Sequence, residues 1–235
     1  AQFELAPMFE DLNLAVDHNM LVMEVLRQSA EKYGFECLLH EKPFNGVNGS
    51  GKHCNWSVAW GGKNLLTPGE NPRENAIFIT LLTAIIRAID MHSDILRMTT
   101  AGAGNDHRLG ANEAPPAIIS VFLGDELNAV LESIERGSRG KGGGKREKMR
   151  IGVDTLPQLP RDTTDRNRTS PFAFTGNKFE FRAPGSSQNC AQSQMALNTI
   201  VAESVDALCD KLESMPGAFN EKLQKLLRQQ VKSHK

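Results

Sequence analysis

The stretch "NKFEFRA", residues 177–183, sets two phenylalanines among three charged side chains. In a strand, successive side chains point to opposite faces, so Lys178, Glu180 and Arg182 share one face and Phe179 and Phe181 the other. The apolar face demands a core beneath it. The front carries both signs of charge, and two readings fit. It is either a solvated face with cross-strand ion pairs or the floor of a polar, metal-bearing cavity.

Other segments repeat the pattern. "HCNWSVAW", residues 53–60, reads as a strand with His53, Asn55 and Ser57 on one face and Cys54, Trp56 and Val58 on the other. "AQFEL", residues 1–5, reads as a short strand that puts Gln2 and Glu4 on one side, and "ECLLHE", residues 36–41, as another. "AIISVFLG", residues 117–124, is a further strand candidate. Between them run long helical patterns. Residues 9–34 place Leu12, Val16, Met20, Met23 and Ala30 near helical spacing, with Gly34 as a stop. A helix from near Pro72 toward Met98 has Pro at its first turn. Residues 125–136 form a helix opened by Asp125 and closed by Gly137, and two more helices cover residues 189–214 and 218–235. Loops are expected at 43–52 and 100–116, and at 154–176 with room for a hairpin. Short polar-faced strands alternating with long helices define an α+β fold. Its sheet is antiparallel or mixed, with a site on one face and helices on the other.

Bulk properties narrow the function. The 235 residues are enough for one large domain or two small ones. A net charge of −1 argues against a dedicated nucleic-acid or membrane-surface binder. The most apolar run, residues 76–86, is too short to span a bilayer and suits a buried helix. Four cysteines without CxxC spacing fit reduced thiols in a cytoplasmic protein. The opening residues lack the basic start and apolar block of a signal peptide. A strand-like start and a helix-like end predict a portion of a longer polypeptide. Residues 136–165 form a flexible basic insertion; its richest part, 136–150, has no aromatic to stack on bases.

Histidine and carboxylates from separate strands, here Glu4, His53 and Glu180, suit magnesium or manganese. The loop "NGVNGSGKH", residues 45–53, has three glycines that let backbone N–H groups approach an anion. It lacks P-loop spacing, and a tight connection would look the same. "NDHRLGANEAPP", residues 105–116, sets Arg108 to clamp a carboxylate or phosphate and Glu113 on a flap to accept a proton. A solvated loop is the alternative.

Together these segments resemble the glutamine synthetase family. "NGSGKHCNWS" resembles its glutamate-loop and metal-histidine segment, and "AQFELAPMF" its metal-glutamate strand. "RLGANEAP" resembles its glutamate flap, and "DRNRTSP" followed by "KFEFRAP" its nucleotide, metal and substrate segment. The order agrees as well, and the wording "NPRENAIF" and "GNDHRLGANEAPPAI" resembles the type III branch. The resemblance implies a catalytic-domain portion with a curved, mostly antiparallel sheet. It implies ATP-dependent joining of ammonia to the γ-carboxylate of glutamate through γ-glutamyl phosphate, with two or more Mg2+ or Mn2+ ions per site.

By the same resemblance, Glu4, His53 and Glu180 are metal ligands. Asn48 and Gly49 contact glutamate, and Arg108 and Arg182 grip its carboxylates. Glu113 is the flap residue. Phe9, Ser57 and Lys178 serve the nucleotide, and Arg168 lies near the transferring phosphoryl group. Asn55 stands where many members have a second histidine. The flap is one residue shorter than the common form between Arg108 and Glu113. The resemblance implies that an amino-terminal domain, outside this chain, supplies further ligands, and that full-length copies associate in stacked rings. Two other readings stay open: a ligase of the superfamily that takes a different amine, and a non-catalytic homologue.

Overall fold

The computed structural model describes residues 4–112, 114–137 and 170–235. The first helix, α1 (Leu12–Lys32), lies inside the predicted span, and the chain turns away at Gly34, where φ is +72°. Met23 is its one buried residue. Glu4 and Leu5, expected in a strand, lie in irregular chain. Residues 36–41 are irregular too. They keep the alternation that suggested a strand, since Cys37 and Leu39 are half-buried while Leu38 and His40 are exposed. Among the described residues no neighbouring strand completes a ladder with them.

The strand expected at 53–60 divides. Its first part is β1 (Cys54–Trp56); its end, β2 (Ala59–Trp60), pairs with β3 (Lys63–Asn64) in a separate ribbon. Gly61 and Gly62, both at positive φ, make the tight two-residue turn that such a hairpin requires. The helix expected from Pro72 begins later. Pro72–Glu74 forms one 3-10 turn, after which the Asn75 side chain accepts a hydrogen bond from Phe78 N (3.0 Å) and opens α2 (Ala76–Thr99). The region expected to be loop from residue 100 contains a short helix, α3 (Ala103–Arg108). Then come β4 (Val121–Phe122) and α4 (Asp125–Arg136), which ends at left-handed Gly137 as its sequence predicts. The hairpin strands β5 (Phe172–Phe174) and β6 (Phe179–Phe181) precede α5 (Ala191–Ser214) and α6 (Phe219–His234). The basic insertion falls outside the described residues beyond Gly137.

The main sheet has the order β1-β6-β5-β4. β6 is antiparallel to β1 and β5, and β4 is parallel to β5, so the sheet is mixed. Direct pairing puts Cys54 beside Phe181 and Trp56 beside Phe179, with Phe172 and Phe174 on the far side of β6. These side chains share one face. The Phe172 and Phe179 rings stack at 4.6 Å, Phe174 meets Phe179 at 5.2 Å, and Phe78 of α2 meets Phe174 at 5.9 Å. Trp56 Nε1 donates to Asn198 Oδ1 of α5 (2.8 Å). Thus α2 and α5 cover the phenylalanine face. Ser204 of α5 donates to the Ala84 carbonyl of α2 (2.7 Å), and Arg87 of α2 bonds Glu203 of α5 (2.8 Å). By length and composition α2 could cross a bilayer. Its buried run from Leu82 to Ile89 makes it the core helix of this fold.

Candidate active site

The opposite face of the sheet is polar because strand alternation leaves no choice. Asn55 pairs with Glu180, and Glu180 with Ala173, so these three side chains lie in a row across three strands. His53 precedes β1, and its Nδ1 lies 3.2 Å from Glu180 Oε1. Arg182 follows β6, and its Nε donates to Glu180 Oε2 at 2.7 Å. Glu180 therefore has a distinct partner for each oxygen. The hydrogen bond to His53 is the main cause that holds its carboxyl down at about 2; burial pushes the other way, and Arg182 adds to the lowering. The group is an anion throughout the neutral range. Ser57 and Lys178 adjoin the last pair of this ladder, Trp56 with Phe179.

The glycine loop and β6 are linked from below. Gly51 bridges Gly185, and Lys52 N donates to Pro184 O at 2.9 Å. Lys52 Nζ reaches the carbonyls of Ser186 (2.5 Å) and Gln188 (2.7 Å). Arg108 is only 4% exposed. Its guanidinium donates to Asn105 Oδ1 (2.8 Å), Ala183 O (2.8 Å) and Pro184 O (3.1 Å). It passes under the loop so closely that a Cβ on Gly51 would collide with it, and one on Gly49 would sit 2.7 Å from its Cγ. Gly49 and Gly51 are required by that approach. Asn105 joins the same network through Ala183 O (3.0 Å).

Of the residues singled out from sequence, the structure brings His53, Glu180 and Arg182 into contact. Arg108 is placed beneath Gly49 and Gly51, with Asn48 exposed beside them. Glu4 is exposed in irregular chain, and among the described residues no three of His, Cys, Asp and Glu gather into a metal-sized group. Phe9 is 96% exposed. Glu113 and Arg168 lie outside the described residues. An imidazole and an ionised carboxylate side by side are donors that could form part of the ligand set of a divalent cation that keeps several waters. Sequence reading missed Glu41, Lys52, Asn105 and Ser187, which hold the loop. The signal was present in Gly49 and Gly51, since a glycine off a turn often marks something passing close by.

A mixed sheet with helices on its apolar face and an anion–imidazole pair on its polar face, beside a glycine loop, defines an α+β domain with a polar site built on one side of its sheet. Comparison with known proteins gives that class a family. The sequence model described as "Glutamine synthetase, catalytic domain" matches residues 1–117. The chain is 54% identical, over 98% of its length, to a type-3 glutamine synthetase of Dictyostelium discoideum, covering 32% of that protein. It is 49% identical to glutamine synthetases of Bacteroides fragilis and Butyrivibrio fibrisolvens, over 98% and 100% of its length and 32% and 33% of theirs. The chain belongs to the glutamine synthetase family, and the type-3 relative agrees with the branch its loop wording suggested. It spans about a third of the length of these relatives.

Proposed function

We propose that this chain forms catalytic machinery of an ATP-dependent glutamate–ammonia ligase. The γ-carboxylate of glutamate attacks the terminal phosphorus of ATP, releasing ADP and leaving γ-glutamyl phosphate. Ammonia then attacks the acyl carbon, and phosphate departs. The observation that carries this reading is the ionised Glu180, flanked by His53 and Arg182 on the polar face, in a chain whose relatives are glutamine synthetases. Such a transfer needs positioning and charge neutralisation more than covalent help.

His53 and Glu180 would hold one Mg2+ or Mn2+ ion, with Glu4 assigned to a second. Bound divalent ions supply charge neutralisation for the phosphates. Arg108, beneath the loop whose Asn48 and Gly49 face substrate glutamate, and Arg182, beside Glu180, would supply the positive charge that grips its carboxylates. Lys178, Ser57 and Phe9 serve the nucleotide, and Arg168 the transferring phosphoryl group. Glu113 takes a proton from ammonium. Ring assembly of full-length copies and a cytoplasmic location belong to the same proposal.

The full-length protein, given glutamate, ammonium, ATP and Mg2+ or Mn2+, is expected to form glutamine and ADP in equal amounts, and nothing when any one component is withheld. Glutamine formation without ATP, or ADP release with no amide product, would overturn the reading. A product formed from an organic amine but not from ammonium would favour another ligase of the superfamily.

A further inference from the structure

Glu41 is a carboxylate with no place in the chemistry above, and it is 5% exposed. Burying an ionised carboxylate is costly unless hydrogen bonds replace the lost water. Here the Ser187 backbone N–H donates to its Oε1 at 3.0 Å, and the Ser187 hydroxyl donates to the same oxygen. Burial pushes the carboxyl up, but these bonds, with a smaller contribution from nearby His40, leave it below its ordinary value.

The same residue touches three segments. Its carbonyl accepts Ser50 N of the glycine loop at 2.9 Å. Ser50 Oγ adds a bond to the His40 carbonyl (3.1 Å). A Cβ on Gly49 would collide with the Glu41 carbonyl oxygen, and one on Gly185 would collide with the carboxylate. One on Gly104, in the first turn of α3, would lie 3.0 Å from Oε2. Three glycines thus clear space for one side chain and its backbone. Arg108 lies against Gly49 as well, so the loop rests on the Glu41 backbone carbonyl and on a cation, while the Glu41 carboxylate reaches the turn after β6.

We propose that Glu41 is a positioning residue for substrate glutamate: by tying the glycine loop to the turn after β6, it presets the backbone at Asn48 and Gly49 for the substrate. This rests on the reading of that loop as the glutamate site. A loop held in its bound shape loses less entropy on binding, so the effect falls on substrate affinity more than on turnover.

The test uses the full-length protein and steady-state kinetics. Glu41→Gln keeps the shape but turns an acceptor toward a donor at Ser187. It is expected to raise the KM for glutamate about tenfold, with kcat and the KM for ATP within about twofold of the parent. Ser187→Ala keeps the backbone bond and is expected to raise the glutamate KM about threefold; it decides the matter on the same criterion if Glu41→Gln does not fold. An unchanged glutamate KM, or equal rises in both KM values with a fall in kcat, would overturn the proposal. Asn48→Ala separates the two ways of failing. If it raises the glutamate KM and Glu41→Gln does not, the loop binds glutamate and Glu41 has no positioning role. If neither variant moves that KM, the loop is not the glutamate site and both readings fall.

Discussion

The two faces of the main sheet are built from the same short strands, yet they are held by different physics. The phenylalanine face is non-directional: Phe172, Phe179 and Phe181 are fully buried, with Phe172 stacked on Phe179 and edge-on to Phe181, and closed over by α2 and α5. The polar face and the loop beside it are held by aimed contacts. Glu180 sits between His53 and Arg182, Arg108 donates to a row of carbonyls, and Glu41 accepts from Ser187. Burial of apolar area tolerates small shifts, whereas a buried polar group left without its partner does not. The first face should therefore set how stable the domain is, and the second how accurately it presents its site.

The largest effect is expected at Phe179. Phe179→Ala removes the ring that meets both Phe172 and Phe174, and is expected to cost about 3–5 kcal/mol in urea unfolding. A loss under about 1 kcal/mol would mean the face is not the foundation described, since that is the scale of a single methylene change. Arg108→Met keeps bulk under the loop but removes the donors to Ala183 O and Pro184 O. A loss of about 1–3 kcal/mol is expected, together with a fall in catalytic efficiency; stability lost with efficiency intact would separate the clasp from the site. Trp56→Phe sharpens the contrast from the other side. It removes one hydrogen bond, to Asn198, from a face dominated by packing, and should cost only about 1 kcal/mol.

A pH measurement gives the smallest of these effects. The Glu41 carboxyl is lowered in the folded state relative to 4.5, so it binds fewer protons folded than unfolded. Its contribution is fully present above about pH 4.5 and is lost as pH falls through the lowered folded value. The parent should lose more stability than Glu41→Gln on acidification below about pH 5. Parallel curves for the two proteins would remove Glu41 from the list of buried anions.

Alternation made the phenylalanine face and its charged front legible from sequence. Residues 177–183 dictate which side chains share a side, and the structure keeps that assignment from Phe179 to Phe181. The long helices were legible from their own helical spacing, down to the stop at Gly137. Segments whose fate depends on a distant partner were not. Residues 36–41 alternate like a strand but have no ladder to join among the described residues, and α3 forms where glycines suggested only loop. In the site, motifs pointed to His53, Glu180 and Arg182. They were silent on Glu41 and Ser187, which lie 146 positions apart and meet only through the fold. Arg108 was read as a group aimed at substrate; its bonds to Asn105, Ala183 and Pro184 show how firmly the protein itself engages it.

On the proposed function, the ionised carboxylate of Glu180 belongs to the cation site of a ligase. Glu180→Ala in the full-length protein tests it most directly, with Mn2+ binding followed by electron spin resonance alongside glutamine synthesis. The variant is expected to fold, to bind Mn2+ at least about a hundredfold more weakly, more than the loss of an outer partner of a metal ligand typically costs, and to make no measurable glutamine. Undiminished Mn2+ binding with synthesis at the parent rate would contradict it.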